Sequence, residues 1–534
     1  MTDCEGISVK FLKSFKSIAL AVAALAAVTA SPAQAEWLEA RTRHFVITGD
    51  TSQSEIRKRA QRLEQFDAAM RYLLGTEEGA PVHLFLLRNM SEVQQLANDR
   101  NVGGFYSASA LMAQAFMPMT IANAPDGFDA ESVLFHEYTH HMLLGSTTVV
   151  IPRWATEGLA EMFMTARIAN DGSVTIGAAS MARQYDIRAM HRWSVEELLR
   201  RDSESVSSSE VIERYSRGWA LCHYLWMSGE RPGQYVKFIS ILNKTGNQVD
   251  AGKEAFGDLA KLDRDVDAYL RRSSYNVSKF TADQLKAQTD VAIRPMSAGE
   301  AAMIQLRMQS ARGVDKKQAE NVYARALPIA LQYPQDPVVQ TWFAEMALDS
   351  GRFAEADQAA DRAIAIDPNQ LKALAFKGRV AAQKALTSKD PNDWKSARAL
   401  FLRANRVDPN DPYPFTLYYD SFAAAGVAAS ENAVAGLFRA VMVMPQDLDL
   451  RVRAAIALLR LNEVEKARII LAPAAFNPHG SEDNPMAKLL KGMDEGKPAN
   501  DLLAIAHELK LDGLNDLVPP EDGGADKDNS GDSN

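Results

Sequence analysis

The order of apolar and polar residues in the first third of the chain predicts a domain that mixes strands and helices. Residues 43–48 and 81–87 are short apolar runs of the kind that form strands, and the second run is continuous enough to be buried. Apolar residues at helical spacing predict a helix over 51–74, and the run 111–117 predicts a further strand. From residue 129 to about 269 the apolar spacing is helical.

A repeat begins near residue 301. Pro334 and Pro368 lie 34 residues apart, which is the period of the tetratricopeptide repeat. The stretch 337–370 resembles that family at its small and aromatic signature positions, which are Ala344, Gly351, Phe353, Ala356, Ala360, Ala363 and Pro368. The resemblance implies an all-α tetratricopeptide-repeat solenoid over 301–510 that binds a protein partner or a substrate.

The amino terminus has the layout of an export signal. Lysines precede an uncharged apolar run over 17–30, and small residues at 33 and 35 form the pattern that signal peptidase cleaves. The run is shorter than the roughly 20 residues that cross a bilayer. We expect residues 1–35 to be a signal peptide cleaved after Ala35, so that the mature protein is exported and has no stable membrane insertion. Cys222 would then be the single remaining thiol, and export without an internal disulfide fits a bacterial protein that is periplasmic or secreted. An uncleaved anchor is the alternative.

Composition and charge indicate the class of protein and the boundaries of its domains. Apolar residues make up 47% and charged residues 24%, as in ordinary globular proteins. The net charge of -9 argues against nucleic-acid binding, which requires a basic surface. Residues 273–300 are polar and weakly patterned, so we expect a linker there, after a domain over 36–272. Residues 511–534 are acidic and poor in large apolar side chains, which predicts a disordered tail.

The motif H-E-Y-T-H over 136–140 is the first candidate for chemistry. On a helix, His136 and His140 share a face with Cβ atoms about 5–6 Å apart. Both imidazoles can therefore reach a single zinc ion at about 2.0–2.1 Å. Glu137 lies beside them, near enough to take a proton from metal-bound water. Taken alone, such a motif also fits a surface helix with ordinary histidines.

The segment 152–163 contains a candidate for the third zinc ligand, which the motif at 136–140 does not provide. A catalytic zinc takes three protein ligands and keeps one position open. Glu157, one turn into a second predicted helix, can be the third ligand. Glu161 lies one turn further on the same face, where it can accept the outer ring N–H of a histidine ligand.

These two segments together resemble the gluzincin metallopeptidases, in particular the peptidase MA-like group. The resemblance implies an α+β zincin-like fold for 36–272 and a Zn²⁺ cofactor. The gap of sixteen residues between the motif and Glu157 is slightly short for that family, and Thr156 stands where Asn is common, but neither departure removes a ligand. The roles implied are zinc ligands His136, His140 and Glu157, catalytic base Glu137, and orienting carboxylate Glu161.

A third segment, Y-S-R-G-W-A-L over 215–221, resembles the Y-x-x-G-x-A-L segment of aminopeptidase relatives. The resemblance implies that the Tyr215 hydroxyl donates a hydrogen bond to the tetrahedral intermediate, a role typically worth about 3 kcal/mol. A packing role at a helix end is the alternative for Tyr215. Arg217 is expected to be a solvated charge, and His141, turned away from the ligands, a surface residue or one behind the site.

The combined hypothesis is an exported zinc-dependent peptidase that hydrolyses peptide bonds by Glu137-assisted attack of zinc-bound water. Endopeptidase action is favoured, because no G-x-M-E-N segment, which binds a free amino group in the aminopeptidase relatives, lies between residues 103 and 129. The strand near 111–117 could instead pair with an extended peptide substrate. The alternative hypothesis is a tetratricopeptide scaffold of the bacterial cell envelope whose metal site is degenerate or regulatory.

Overall fold

A six-stranded mixed sheet forms the base of the amino-terminal half. The computed structural model describes residues 37–76, 79–100, 102–121, 129–145, 148–179, 186, 193–202, 204, 207–475 and 484–517, so the predicted signal segment 1–35 lies outside the described residues. The strands are β1 Trp37–Arg41, β2 Phe45–Asp50, β3 Val82–Leu87, β4 Phe105–Ala108, β5 Ala113–Pro118, β6 Arg167–Ile168, β7 Val174–Ile176, β8 Ser278–Phe280 and β9 Ala292–Pro295.

The strand order of the large sheet is β4-β5-β3-β2-β1-β9, and β6, β7 and β8 form a small second sheet. The central strands β2, β3 and β5 run parallel, whereas β4, β1 and β9 pair antiparallel with their neighbours. The run predicted at 111–117 is β5, and both of its edges are hydrogen-bonded within the sheet. The prediction that this strand pairs with a peptide is therefore wrong, and the strand at that edge of the sheet is β4.

Helices cover the sheet and continue beyond it. The first helix is capped by Ser52, whose side chain accepts from the Glu55 N–H, and it ends at Gly75 in the left-handed conformation that glycine favours. Phe66 of this helix stacks on Phe135 at 4.0 Å. The helices are α1 Gln53–Leu74, α2 Met90–Ala97, α3 Ala130–Leu143, α4 Arg153–Phe163, α5 Val195–Arg200, α6 Ser208–Met227, α7 Gln234–Thr245, α8 Gln248–Phe256, α9 Leu259–Leu270 and α10 Ala282–Leu285.

The stretch 273–300, expected to be a linker, is folded into this half of the molecule. It contains β8, α10 and β9, and β9 extends the large sheet by pairing with β1. Arg294 of β9 binds Glu39 of β1 at 3.0 Å and Glu300 at 2.7 Å. The linker prediction is wrong because β9 is short and partly exposed, so its sequence carries few apolar residues to mark it.

Residues 298–508 form a helical repeat array of consecutive hairpins, as the 34-residue spacing predicts. Neighbouring helices pack in sequence, and the first helices of successive hairpins also pack on one another from residue 298 to residue 424. The signature residues Ala356, Ala360 and Ala363 are fully buried where the helices cross. The helices are α11 Ala298–Ala311, α12 Lys316–Gln332, α13 Pro337–Asp349, α14 Phe353–Ile366, α15 Leu371–Ser388, α16 Pro391–Val407, α17 Pro412–Ala424, α18 Glu431–Val443, α19 Leu448–Arg460, α20 Val464–Ala475, α21 Pro485–Asp494 and α22 Ala499–Glu508.

Residues 511–517, the first part of the carboxyl-terminal tail predicted to be disordered, are ordered. Leu511 packs with the last hairpin, and Leu517 is 1% exposed. That part of the prediction is wrong, because leucines spaced among polar residues bury themselves on the array. Residues 518–534 lie outside the described residues. Across the described residues, no helix has the length and apolarity needed to cross a bilayer.

Candidate metal centre

The helix that carries the H-E-x-x-H motif is fixed at its start by a reciprocal cap. Asp129 Oδ1 accepts from the Ser132 N–H at 2.8 Å, and Ser132 Oγ accepts from the Asp129 N–H at 2.9 Å. The four-residue spacing then places His136 and His140 on the same face of α3. Their Nε2 atoms point at one another and lie 3.1 Å apart.

The helix that carries the two glutamates begins without a side-chain cap of its own, because Pro152 stands at the cap position. Asp202, 48 residues beyond Trp154, accepts from the backbone N–H groups of Arg153 at 2.9 Å and Trp154 at 2.7 Å. Gln248 holds the same carboxylate at 2.8 Å. A distant aspartate therefore fixes the start of α4 and, with it, the position of Glu157. No local pattern in the sequence marks Asp202 for this role.

The predicted ligands come together in one compact group. Glu157 Oε2 lies 3.5 Å from His136 Nε2 and 3.5 Å from His140 Nε2. With the 3.1 Å separation of the two nitrogens, these atoms form a triangle whose centre is roughly 2.0 Å from each corner, close to the bond lengths of zinc to nitrogen and oxygen. Two imidazoles and a carboxylate are also a donor set that zinc prefers. Among the described residues, no fourth potential ligand belongs to the group.

Glu161 lies on the opposite side of the His136 ring. Its Oε1 is 3.8 Å from His136 Nδ1, whereas Nε2 of the same ring faces Glu157. Both carboxylates are almost fully buried, with Glu161 4% and Glu157 3% exposed. Two buried carboxylates so close together are costly unless positive charge accompanies them. The arrangement therefore suits a divalent cation on the Nε2 side and an orienting carboxylate on the Nδ1 side.

The charges of the site shift the titration of its side chains. Burial opposes protonation of His136, but its hydrogen bond with Glu157 and the charge of Glu161 outweigh burial and raise the pKa of His136 to about 9. A bound metal ion must therefore displace a proton from this ring at neutral pH. Burial also raises the pKa of Glu137, although the two histidines partly offset the effect. A raised pKa suits a carboxylate that takes and returns a proton near neutrality.

Tyr215 lies in the second turn of α6, with its ring parallel to that of His136 at a centroid distance of 6.4 Å. Burial raises the pKa of its phenol well above the usual value, and the charge of Glu157, to which it is hydrogen-bonded, adds to this. The hydroxyl consequently keeps its proton at neutral pH and can donate it in a hydrogen bond. Tyr215 thus contacts the site itself, and it is not at the end of its helix.

Two glycines allow α6 to approach α4 closely enough to bring Tyr215 into the site. A Cβ on Gly158 would lie 2.5 Å from the backbone of Gly218, and a Cβ on Gly218 would lie 2.4 Å from the carbonyl oxygen of Trp154. No side chain larger than hydrogen fits at either crossing point. Both glycines stand in the motif segments, but the sequence alone assigns them no role, because the contact joins residues 60 positions apart.

His141 and Arg217 are both buried. His141 Nδ1 lies 2.6 Å from the hydroxyl of Tyr106 in β4, and Gln446 of the repeat array donates to the His141 carbonyl at 3.1 Å. Of the two alternatives for His141, the surface position is therefore wrong. Arg217 donates to Asp267 at 3.0 Å, and the prediction of a solvated charge is wrong because its partner lies 50 positions further along the chain. His141 therefore links the motif helix to the sheet edge and to the array.

A second group of potential ligands, formed by His44, Glu64 and Asp67, has a different geometry. Both carboxylates meet the same ring nitrogen, His44 Nδ1, at 2.8 Å and 3.2 Å. Asp67 is also bound by Arg71 at 2.8 Å and by the Tyr138 hydroxyl at 2.6 Å. The group is a buried ion-pair network that anchors Tyr138, a residue of the motif, to α1.

Comparison with known proteins finds a family model that matches the part of the chain in which the site lies. Residues 131–249 match a family described as "Protein of unknown function (DUF1570)", and this stretch contains the three ligands, Glu137, Glu161 and Tyr215. No curated protein matches the chain. Among solved structures, a thermophilic TPR protein of Thermus thermophilus is similar over 37% of this chain and 100% of its own length, with 17% sequence identity and a TM-score of 0.31.

Proposed function

We propose that the chain is a zinc-dependent peptidase that is exported from a bacterial cell and cleaves within peptide chains. The observation that carries the proposal is the convergence of His136 Nε2, His140 Nε2 and Glu157 Oε2 within 3.1–3.5 Å of one another. The resemblance of the two motif segments to gluzincins supplies the reaction class. The size of the triangle formed by the three atoms supports zinc, although other divalent ions accept the same donors.

Zinc bound by these ligands would polarise the scissile carbonyl and the attacking water. The Glu137 carboxylate, in the residue next to His136, takes a proton from that water and later delivers it to the leaving amine nitrogen. Glu161 faces His136 Nδ1 at 3.8 Å, and its negative charge favours the ring orientation in which Nδ1 carries the proton and Nε2 is directed at the ligand position. The Tyr215 hydroxyl donates a hydrogen bond to the oxygen on which negative charge develops.

The edge strand β4 is the proposed binding surface for an extended substrate. Its inner edge pairs with β5, and no other described strand pairs with its outer edge. The Tyr106 hydroxyl of β4 is hydrogen-bonded to His141 Nδ1 at 2.6 Å. Because His141 follows the ligand His140 on the same helix, this hydrogen bond fixes the position of the strand edge relative to the metal ligands. A peptide added to this edge by main-chain hydrogen bonds can extend past the site in both directions, which favours endopeptidase action.

The direct test separates metal binding from hydrolysis. Glu137→Gln removes the proton acceptor but leaves the three ligands, so the variant should keep its zinc and lose at least about 10²-fold in peptide cleavage. Zinc content and the cleavage rate of a denatured protein substrate are measured on the same preparation. Glu196→Gln, at a half-exposed position on α5, is the matched control and should cleave normally. Unchanged cleavage by Glu137→Gln would overturn the peptidase proposal.

A scaffold role is the second candidate, and it is favoured by the helical array that occupies residues 298–508. Arrays of helical hairpins present extended surfaces to protein partners. In this case the metal site would be structural or regulatory. A cell that carries Glu137→Gln in place of the natural chain would then behave normally, although the purified variant lacks cleavage activity. A defective cell would support the peptidase as the working part.

A further inference from the structure

The last residues that the structure describes cross the repeat array. The terminal segment, residues 514–517, follows the final hairpin, whose core closes on Leu511. It then contacts Gln383 of α15, Asp420 of α17 and Arg453 of α19. These are first helices of three successive hairpins, 61 to 134 positions away in sequence. A segment that only closed the last repeat would contact that repeat alone.

Main-chain groups of the terminal segment are held by side chains of the array, as those of a bound peptide would be, and the segment ends in a turn in which the Leu517 N–H donates to Asn515 Oδ1 at 2.9 Å. The carbonyl of Leu514 accepts from Arg453 Nε at 3.3 Å, and the carbonyl of Leu517 accepts from Gln383 Nε2. The backbone N–H of Asp516 donates to Asp420 Oδ2 at 2.9 Å. Hydrogen bonds to the backbone do not depend on side-chain identity, so they can serve any peptide in this conformation.

Side-chain contacts add a chemical preference. The Asp516 carboxylate binds Arg453 Nη2 at 2.7 Å, and the Arg453 side chain is itself only 5% exposed. The next residue, Leu517, is 1% exposed. The surface formed by Arg453, Asp420 and Gln383 thus recognises an acidic residue followed by a large apolar one. We call this surface the array groove.

The terminal segment lacks secondary structure that would hold it in place independently of the array. It forms neither helix nor strand, and the carboxylate side chain of Asp516 remains 33% exposed. Leu517 is the one fully buried side chain of residues 514–517, and short terminal segments of this kind open at low free-energy cost while the rest of the protein stays folded. The groove can therefore exchange its occupant without unfolding of the array.

We propose that the terminal segment is an intramolecular ligand that occupies the array groove until a partner protein displaces it. The partner offers a short segment with an acidic residue directly before a leucine, the chemistry of Asp516 and Leu517. The inference gives a chemical class to the partner of the array, and it does not depend on hydrolysis at the metal centre. A groove that is open about a tenth of the time binds an external peptide roughly tenfold more weakly than an open one.

Competition between the two ligands can be measured in the full-length chain. The probe is a fluorescein-labelled peptide with the sequence of residues 510–519, and binding is followed by fluorescence anisotropy. All chains carry Glu137→Gln, so that cleavage of the probe cannot affect the result. The variant Asp516→Asn/Leu517→Ser should bind the probe about tenfold or more tightly than the chain with an intact segment. Asp516→Asn alone, at a partly exposed position, should show a smaller gain.

Two controls define the site. A probe with the same Asp516→Asn and Leu517→Ser changes should bind neither chain, and Gln383→Ala added to the double variant should weaken binding of the original probe. Thermal melting establishes that each variant is folded. Equal affinity of the intact chain and the folded double variant for the probe would overturn the proposal, and so would the absence of binding to both. Neither result bears on zinc content or peptide cleavage.

Discussion

At the scale of single residues, the chemistry of the site depends on which side of each ring faces which carboxylate. Glu157 and Glu161 lie one turn apart on α4, and His136 stands between them with one nitrogen toward each. The four-residue spacings in both helices made this arrangement predictable from sequence. The closeness of Tyr215 could be expected only from the family resemblance, because 58 residues separate it from Glu157.

Tyr215→Phe tests the role of the phenol at this scale. The change removes a single hydroxyl and keeps the ring that lies parallel to His136, so the fold and zinc content should be preserved. Loss of one hydrogen bond to the developing oxyanion typically lowers kcat by about 10²-fold with little change in KM. Steady-state kinetics on a peptide substrate measures both constants. Normal kcat in Tyr215→Phe would show that Tyr215 only packs against the site.

At the scale of elements, the site is set by how closely α4 and α6 pack. The hydrophobic pattern predicted both helices, but a sequence pattern does not report the distance between two helices. Gly158 and Gly218 determine that distance, and Asp202 determines where α4 begins. Each of these contacts joins segments that are far apart in the chain, which is why sequence reasoning missed them. The short strand β9 was not predicted for a related reason, because its extended conformation depends on pairing with the distant strand β1.

Gly158→Ala should separate the two helices. The added methyl group would meet the backbone of Gly218 at 2.5 Å, and backbone cannot move aside as a side chain can. Overpacking of this kind costs about 1–3 kcal/mol of stability, and displacement of Tyr215 should lower kcat by up to about 10²-fold. Chemical denaturation and steady-state kinetics measure the two effects.

The matched control is Gly492→Ala in α21. There the new methyl group would meet mainly side-chain atoms, the nearest being Leu502 Cδ2 at 3.0 Å, and side chains can adjust. This variant should keep both stability and activity within a small margin of the natural chain. If Gly158→Ala behaves like Gly492→Ala, then close packing of α4 on α6 does not position the site.

At the scale of the whole molecule, the array is attached to the amino-terminal half behind the candidate metal centre. Asp447, at the start of α19, accepts from the Ala110 N–H at 2.7 Å in the turn between β4 and β5. Arg451 donates to the carbonyl of Leu144, just beyond the motif helix, at 3.2 Å. The sequence predicted the two halves and not their contact, because the contacts connect residues more than 300 positions apart.

Asp447→Ala tests this attachment. The carboxylate also caps α19 through the Leu450 N–H at 3.0 Å, so its loss should cost about 2–4 kcal/mol when the cap and the Ala110 contact are lost together. Hydrogen exchange of the turn 109–112 should become faster. Asp315→Ala removes a comparable cap from α12, where the Asp315 carboxylate accepts from the Gln318 N–H at 2.8 Å, and should leave the turn unchanged. Equal exchange in both variants would contradict the attachment.

The proposed chemistry depends on a single ion shared by His136, His140 and Glu157. Zinc content and affinity of the purified chain test this most directly, with competition against a chelator of known affinity as the measurement. We expect one zinc per chain, a loss of about 10²-fold or more in affinity for His136→Ala and Glu157→Ala, and no change for the exposed control Glu320→Ala. Zinc binding by Glu157→Ala as tight as that of the natural chain would contradict the proposed chemistry.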